Sequence, residues 1–65
     1  MKDIMGNEIY PGDKVFLIKS LYKNLENKIY TVMQPNRYDP INKVKISISD
    51  QWQGYYKFNE IIKVK

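Results

Sequence analysis

Lys43-Val44-Lys45-Ile46-Ser47-Ile48-Ser49 alternates polar and apolar residues without a break. Successive side chains of a strand point to opposite faces, so Val44, Ile46 and Ile48 turn inward while Lys43, Lys45, Ser47 and Ser49 turn outward. Turn-forming residues follow from Asp50 to Gly54, and alternation resumes at Tyr55-Tyr56-Lys57-Phe58. If Asp50 to Gly54 is a five-residue loop, Ser49 pairs with Tyr55 and Ser47 with Lys57. Ile48 then meets Tyr56 and Ile46 meets Phe58, which keeps the apolar face whole. A slip of one residue would place Ile48 opposite Tyr55 and mix the two faces. A hairpin wet on one side and dry on the other defines an all-β class.

Further turn signals recur at short spacing outward from this hairpin: Gly6-Asn7, Pro11-Gly12-Asp13, Asn24 to Asn27, Pro35-Asn36 and Asp39-Pro40. Short β-branched and aromatic stretches between turns are the pattern of a sandwich or barrel, and 65 residues favour one barrel of about five strands. Ile4 to Ile9 reads as a small hairpin around Gly6-Asn7. Gly12-Asp13 reverses the chain into a first strand, Lys14 to Ser20, which is apolar on both faces and so expected to be covered on both. Leu21 to Asn27 is a loop. A second strand, Lys28 to Gln34, places Ile29, Thr31 and Met33 on one face and Tyr30 and Val32 on the other, with either set able to face inward. Pro35 to Asn42 is a second loop. After the hairpin, Asn59-Glu60-Ile61 reads as one helical turn begun by an Asn cap, and Ile62 to Val64 as a closing strand.

Gly6-Asn7-Glu8-Ile9, Gly12-Asp13-Lys14-Val15 and Tyr56-Lys57-Phe58-Asn59-Glu60-Ile61 together resemble SH3-like barrels, above all the small uncharacterised ones of phages and prophages. The resemblance touches both ends of the chain and is weak between Leu21 and Asn42. It implies a single domain over residues 1–65: a five-stranded SH3-like barrel with a short N-terminal hairpin and a one-turn 3₁₀ helix before the last strand. SH3-like barrels as a class bind proline-rich peptides, RNA, DNA or other proteins. The acidic pair and Trp of the eukaryotic peptide groove have no position-by-position match here.

Composition narrows the function. A domain this small must use nearly every Ile, Val, Leu and Phe in its core, so a site is expected on a face or in a shallow groove, with no small-molecule substrate. The longest apolar run is Val15 to Ile18 and no apolar core follows Lys2, so neither a membrane segment nor a signal peptide is expected. The absence of cysteine fits a cytoplasmic setting. With no His and no Cys, Ser20, Thr31, Ser47 and Ser49 lack the usual base for nucleophilic catalysis. The seven carboxylates are scattered over turns, and Gly6, Gly12 and Gly54 are isolated. No enzymatic role, metal or cofactor is expected.

What remains is a surface. Lys43, Lys45, Tyr55 and Lys57 point outward on one hairpin, Trp52 sits at its tip, and Arg37 and Tyr38 extend the patch from the preceding loop. Basic residues interleaved with rings suit single-stranded nucleic acid, and the net charge of +4 permits it. Yet only Arg37 among the 11 basic residues is arginine, and a Lys, Ile, Asn and Tyr bias also accompanies AT-rich coding DNA. Outward lysines equally keep strands from aggregating. An exposed ring cluster, Trp52 with Tyr38 or Tyr22, would anchor a protein partner. The expectation is a non-enzymatic binding module for a protein, as an adaptor or an inhibitor of a host protein. A nucleic-acid-binding barrel is the alternative, and a structural or homo-oligomeric subunit the third.

Overall fold

The computed structural model describes residues 1–65. A Pro11-Gly12 turn starts the sheet. Pro11 holds its fixed φ, Gly12 sits at φ +94°, and the Tyr10 carbonyl accepts from the Asp13 N–H at 3.1 Å, the arrangement of a type II turn. Asp13 locks it, its Oδ2 accepting from the Tyr10 N–H at 2.8 Å. Strands follow as β1 (Lys14–Leu17), β2 (Ile29–Val32), β3 (Val44–Ser49), β4 (Trp52–Tyr56) and β5 (Ile61–Lys63). All pairs are antiparallel, in the order β4-β3-β2-β1-β5, and the sheet curls into a half-barrel of the SH3-like kind with only 3₁₀ turns besides.

The core lies within the curl. Val15 and Leu17 of β1, Ile46 of β3 and Ile61 of β5 are fully buried, and Ile9, Leu25, Val32, Val44 and Tyr56 complete the cluster. In β2 the inward set is Tyr30 and Val32, and Tyr30 fixes the loop above it by donating to the Leu25 carbonyl at 2.7 Å. That loop, between β1 and β2, holds a 3₁₀ turn at Lys23–Leu25 that delivers Leu25 to the core. Asn27 ends it at φ +62°, a left-handed conformation that Asn tolerates better than most residues.

The hairpin register differs from the sequence reading. The turn is the two residues Asp50-Gln51, Ser49 pairs with Trp52, a bulge lies between Ser47 and Ser49, and Tyr56 faces Val44. Tyr55 therefore faces Lys45, not Ser49, a displacement of four residues. Four is even, so within the paired strands Val44, Ile46 and Tyr56 stay inward and Lys45 and Tyr55 outward: alternation fixes register only to the nearest two residues, and turn length decides the rest. Tyr56 gains a buried partner from its new place, its hydroxyl lying 2.9 Å from the Ser20 hydroxyl. Ile46 stands opposite Gly54, not Phe58. Phe58 is 55% exposed, outside the sheet in a 3₁₀ turn at Phe58–Glu60.

Other boundaries also shift. The 3₁₀ turn is closed by Glu60, whose Oε1 accepts from the Lys57 N–H at 2.8 Å, and not by an Asn59 cap. β1 ends at Leu17, so Ile18 to Ser20 leave the sheet, and Phe16 and Ile18 are only half-buried on its outer face. Near the N-terminus a single bridge, Lys2 to Glu8, replaces a regular hairpin. Its turn is organised by Asp3, which is buried and accepts from the N–H groups of Met5 and Asn7 at 2.9 and 2.8 Å. Apolar residues are less fully used than their scarcity implies: Leu21 is 97% and Ile41 99% exposed.

Candidate functional site

β4 with the residues just after it, and the loop after β1, enclose an open groove of about 370 Å³. Six consecutive residues, Trp52 to Lys57, line one side. Consecutive strand residues point to opposite faces, so a groove that touches all six must follow the edge of β4. Ser20, Leu21 and Tyr22 form the facing wall, and Lys43 and Glu60 complete the lining.

Each wall is fixed by identifiable contacts. The Ser20 hydroxyl bonds that of Tyr56 and also accepts from the Tyr22 N–H at 3.1 Å, while the Ser20 N–H donates to Glu26 Oε2 at 2.9 Å. These bonds bring Tyr22 to Trp52, their ring centroids 5.5 Å apart and their planes at 82°. Edge-to-face pairing holds both rings against the strand, yet Trp52 remains 42% and Tyr22 57% exposed.

On the outer side, Tyr55 donates to Asp39 Oδ1 at 2.7 Å, and Lys45 Nζ lies 3.4 Å from Asp39 Oδ2. Asp39 Oδ2 also accepts from the Asn36 N–H at 2.9 Å, so one carboxylate ties the loop between β2 and β3 to the sheet. The Asn36 N–H bond, the Tyr55 hydroxyl and the Lys45 ammonium hold the Asp39 carboxyl below its ordinary pKa. The same bond to Asp39 raises the Tyr55 phenol above its ordinary value.

Of the seven residues singled out from the sequence, Trp52, Tyr55, Lys43 and Lys57 meet at the groove. Lys45 does not join them: it is paired to Asp39, with its side chain largely covered. Arg37 lies 5.1 Å over the Tyr38 ring on the loop, and neither residue lines the groove. Of the two proposed aromatic partners for Trp52, Tyr22 is the one in contact. Sequence reasoning missed Ser20 and Leu21, whose placement depends on a hydrogen bond spanning 36 residues. It also missed Asp39 as a clamp, although Asn36 and Asp39 carry the spacing of a side-chain-capped turn.

Neither Lys43 nor Lys57 forms an ion pair. No group of three or more carboxylates converges into a cation site, and no helix is long and apolar enough to cross a membrane. No family model, curated protein or solved structure matches the chain.

Proposed function

We propose that this chain is a non-enzymatic binding module that receives an extended segment of a partner protein in the groove between Tyr22 and the edge of β4. The observation that carries the reading is the Tyr22–Trp52 pair, two rings held edge to face beside the groove and still open to solvent. Rings held in fixed rotamers offer apolar contact at a small entropic cost, which is why aromatics anchor protein interfaces. Charge supports a protein over nucleic acid. Lys45 is occupied by Asp39 and Arg37 lies off the groove, which leaves Lys43 and Lys57 as two separate cations and no continuous cationic track past Trp52.

Selection of random peptides on the folded protein tests the reading. Binders that quench Trp52 fluorescence and are lost in Trp52→Ala and in Tyr22→Ala are the expected outcome. If no peptide is enriched while a single-stranded oligonucleotide quenches Trp52 and dissociates steeply with added salt, the reading fails in favour of nucleic acid.

A further inference from the structure

We infer that the open edge of β4 takes the partner's segment as a sixth strand, and that this segment alternates acidic with apolar residues. The inference rests on the groove reading above and adds the pairing mode and the partner's chemistry.

The sheet has two edges, and the chain treats them differently. At β5 the outward backbone is closed by the N-terminal turn: the Ile61 carbonyl accepts from the Ile4 N–H at 3.3 Å, and the Lys63 N–H donates to Asp3 Oδ2 at 2.7 Å. At β4 nothing comparable exists. Lys45 turns its carbonyl to β2, accepting from the Met33 N–H at 2.8 Å, so Val44 and Ile46 on either side turn theirs to β4, opposite Tyr56 and Gly54. Gln53 and Tyr55 consequently aim their N–H and C=O groups away from the sheet. No hydrogen bond outside the strand ladder reaches the backbone of either residue. The row is closed only at Lys57, whose N–H and C=O are both taken by Glu60.

An uncharged edge strand without proline is a template for pairing, which proteins ordinarily blunt. Trp52-Gln53-Gly54-Tyr55-Tyr56 carries neither charge nor proline. A strand laid along it gains main-chain hydrogen bonds, while its side chains point alternately to the two faces of the sheet. On the inner face they meet Tyr22 and Trp52. On the outer face they approach Lys43 and Lys57, the two lysines at the groove with no ion-pair partner. Apolar residues suit the first set and carboxylates the second. A second copy of the chain is the poorer occupant, because each copy has a net charge of +4 and brings the same unpaired lysines to the seam.

The probe is a capped seven-residue peptide alternating Glu and Val, compared with one alternating Lys and Val. Nuclear magnetic resonance of the whole protein reads amide exchange at Gln53 and Tyr55, and fluorescence reads Trp52. The Glu–Val peptide is expected to bind and to slow exchange of those two amides by about tenfold or more, as strand hydrogen bonds do. Gln53→Pro, which removes one edge donor at a position where proline is tolerated, should weaken binding by about tenfold or more, the loss of roughly one charge-free pairing contact and its neighbours. Exchange in the unaltered protein decides the matter even if that variant fails to fold. Peptide binding with unchanged exchange at both amides would overturn strand addition and leave the groove reading standing. Equal binding of the Lys–Val peptide would overturn the acidic partner. Protection of both amides in the free protein, with a concentration-dependent sedimentation coefficient, would give the edge to a second copy and overturn the inference. Failure of these peptides together with failure of the random selection would remove the groove reading itself.

Discussion

Asp3 shows how one side chain can hold two ends of a chain together. Burial pushes its carboxyl pKa up, but the N–H of Lys63, the Asn7 amide and the N–H groups of Asn7 and Met5 outweigh this and leave it below the ordinary value. A depressed native pKa means that the stabilisation is present above the unfolded value, about 3.9, and is lost as pH falls through the native one. Denaturant unfolding is therefore expected to show stability falling below about pH 4, more steeply in the parent than in Asp3→Asn. Asp13 and Asp39 are also depressed, through the N–H groups of Tyr10 and Asn36 first, so the variant should flatten the curve only in part. Asp3→Ala, which strands several N–H groups, should cost roughly 2–4 kcal/mol at neutral pH. A similar exchange operates at the groove: Tyr55→Phe removes a donor from Asp39, and a carbon-detected titration should find the Asp39 midpoint moved up towards the ordinary carboxylate value. An unmoved midpoint would mean that Tyr55 does not hold that carboxylate in solution. Asp13 could be read from its turn, since its partner is three residues away. Asp3 could not, because its decisive partner is Lys63, 60 residues along the chain.

At the scale of elements, the β3–β4 hairpin separates what alternation determines from what it leaves open. Both registers keep Ile46 and Tyr56 on the inner face, so the sequence pattern identified the faces and misplaced the pairing by four residues. The outward position of Lys43, Lys45 and Tyr55 was legible for the same reason, whereas the fate of Lys45 was not: its ion pair comes from a loop residue with no periodic signal. The short turn has a consequence at Gly54. A Cβ there would lie 2.7 Å from Tyr56 Cε2, and that ring is buried and held by Ser20. Valine, ordinarily favoured in strands by up to about 1 kcal/mol, should instead destabilise here by roughly 1–3 kcal/mol through overpacking. Urea unfolding of Gly54→Val measures it, and a midpoint at or above that of the parent would contradict the observed register. The expected five-residue loop has no such contact to predict.

For the whole molecule, the question is which apolar residues make the fold and which are left for a partner. A sequence reading by scarcity assigns nearly all of them to the core, but the curl of a half-barrel has only one inner surface. Residues beyond it stay wet whatever their hydrophobicity, as Leu21, Ile29 and Ile41 do. Stability of a chain this long is on the order of 3–10 kcal/mol, and removing the fully buried Ile46 side chain to alanine should cost about 2–5 kcal/mol. Ile46→Ala is thus expected to lose a large share of the total, visible as a population of unfolded chains by amide exchange at 25 °C or just above. Ile41→Ser, at an almost fully exposed position, should change stability by no more than about 0.5 kcal/mol. Trp52→Ala belongs between them: it removes the edge-to-face contact with Tyr22, worth about 0.5–1.5 kcal/mol, and part of a ring already half in water. That ordering follows from burial alone. If Trp52→Ala instead cost as much as Ile46→Ala, the indole would be a core residue of the dissolved protein, and the groove would have no free anchor to offer.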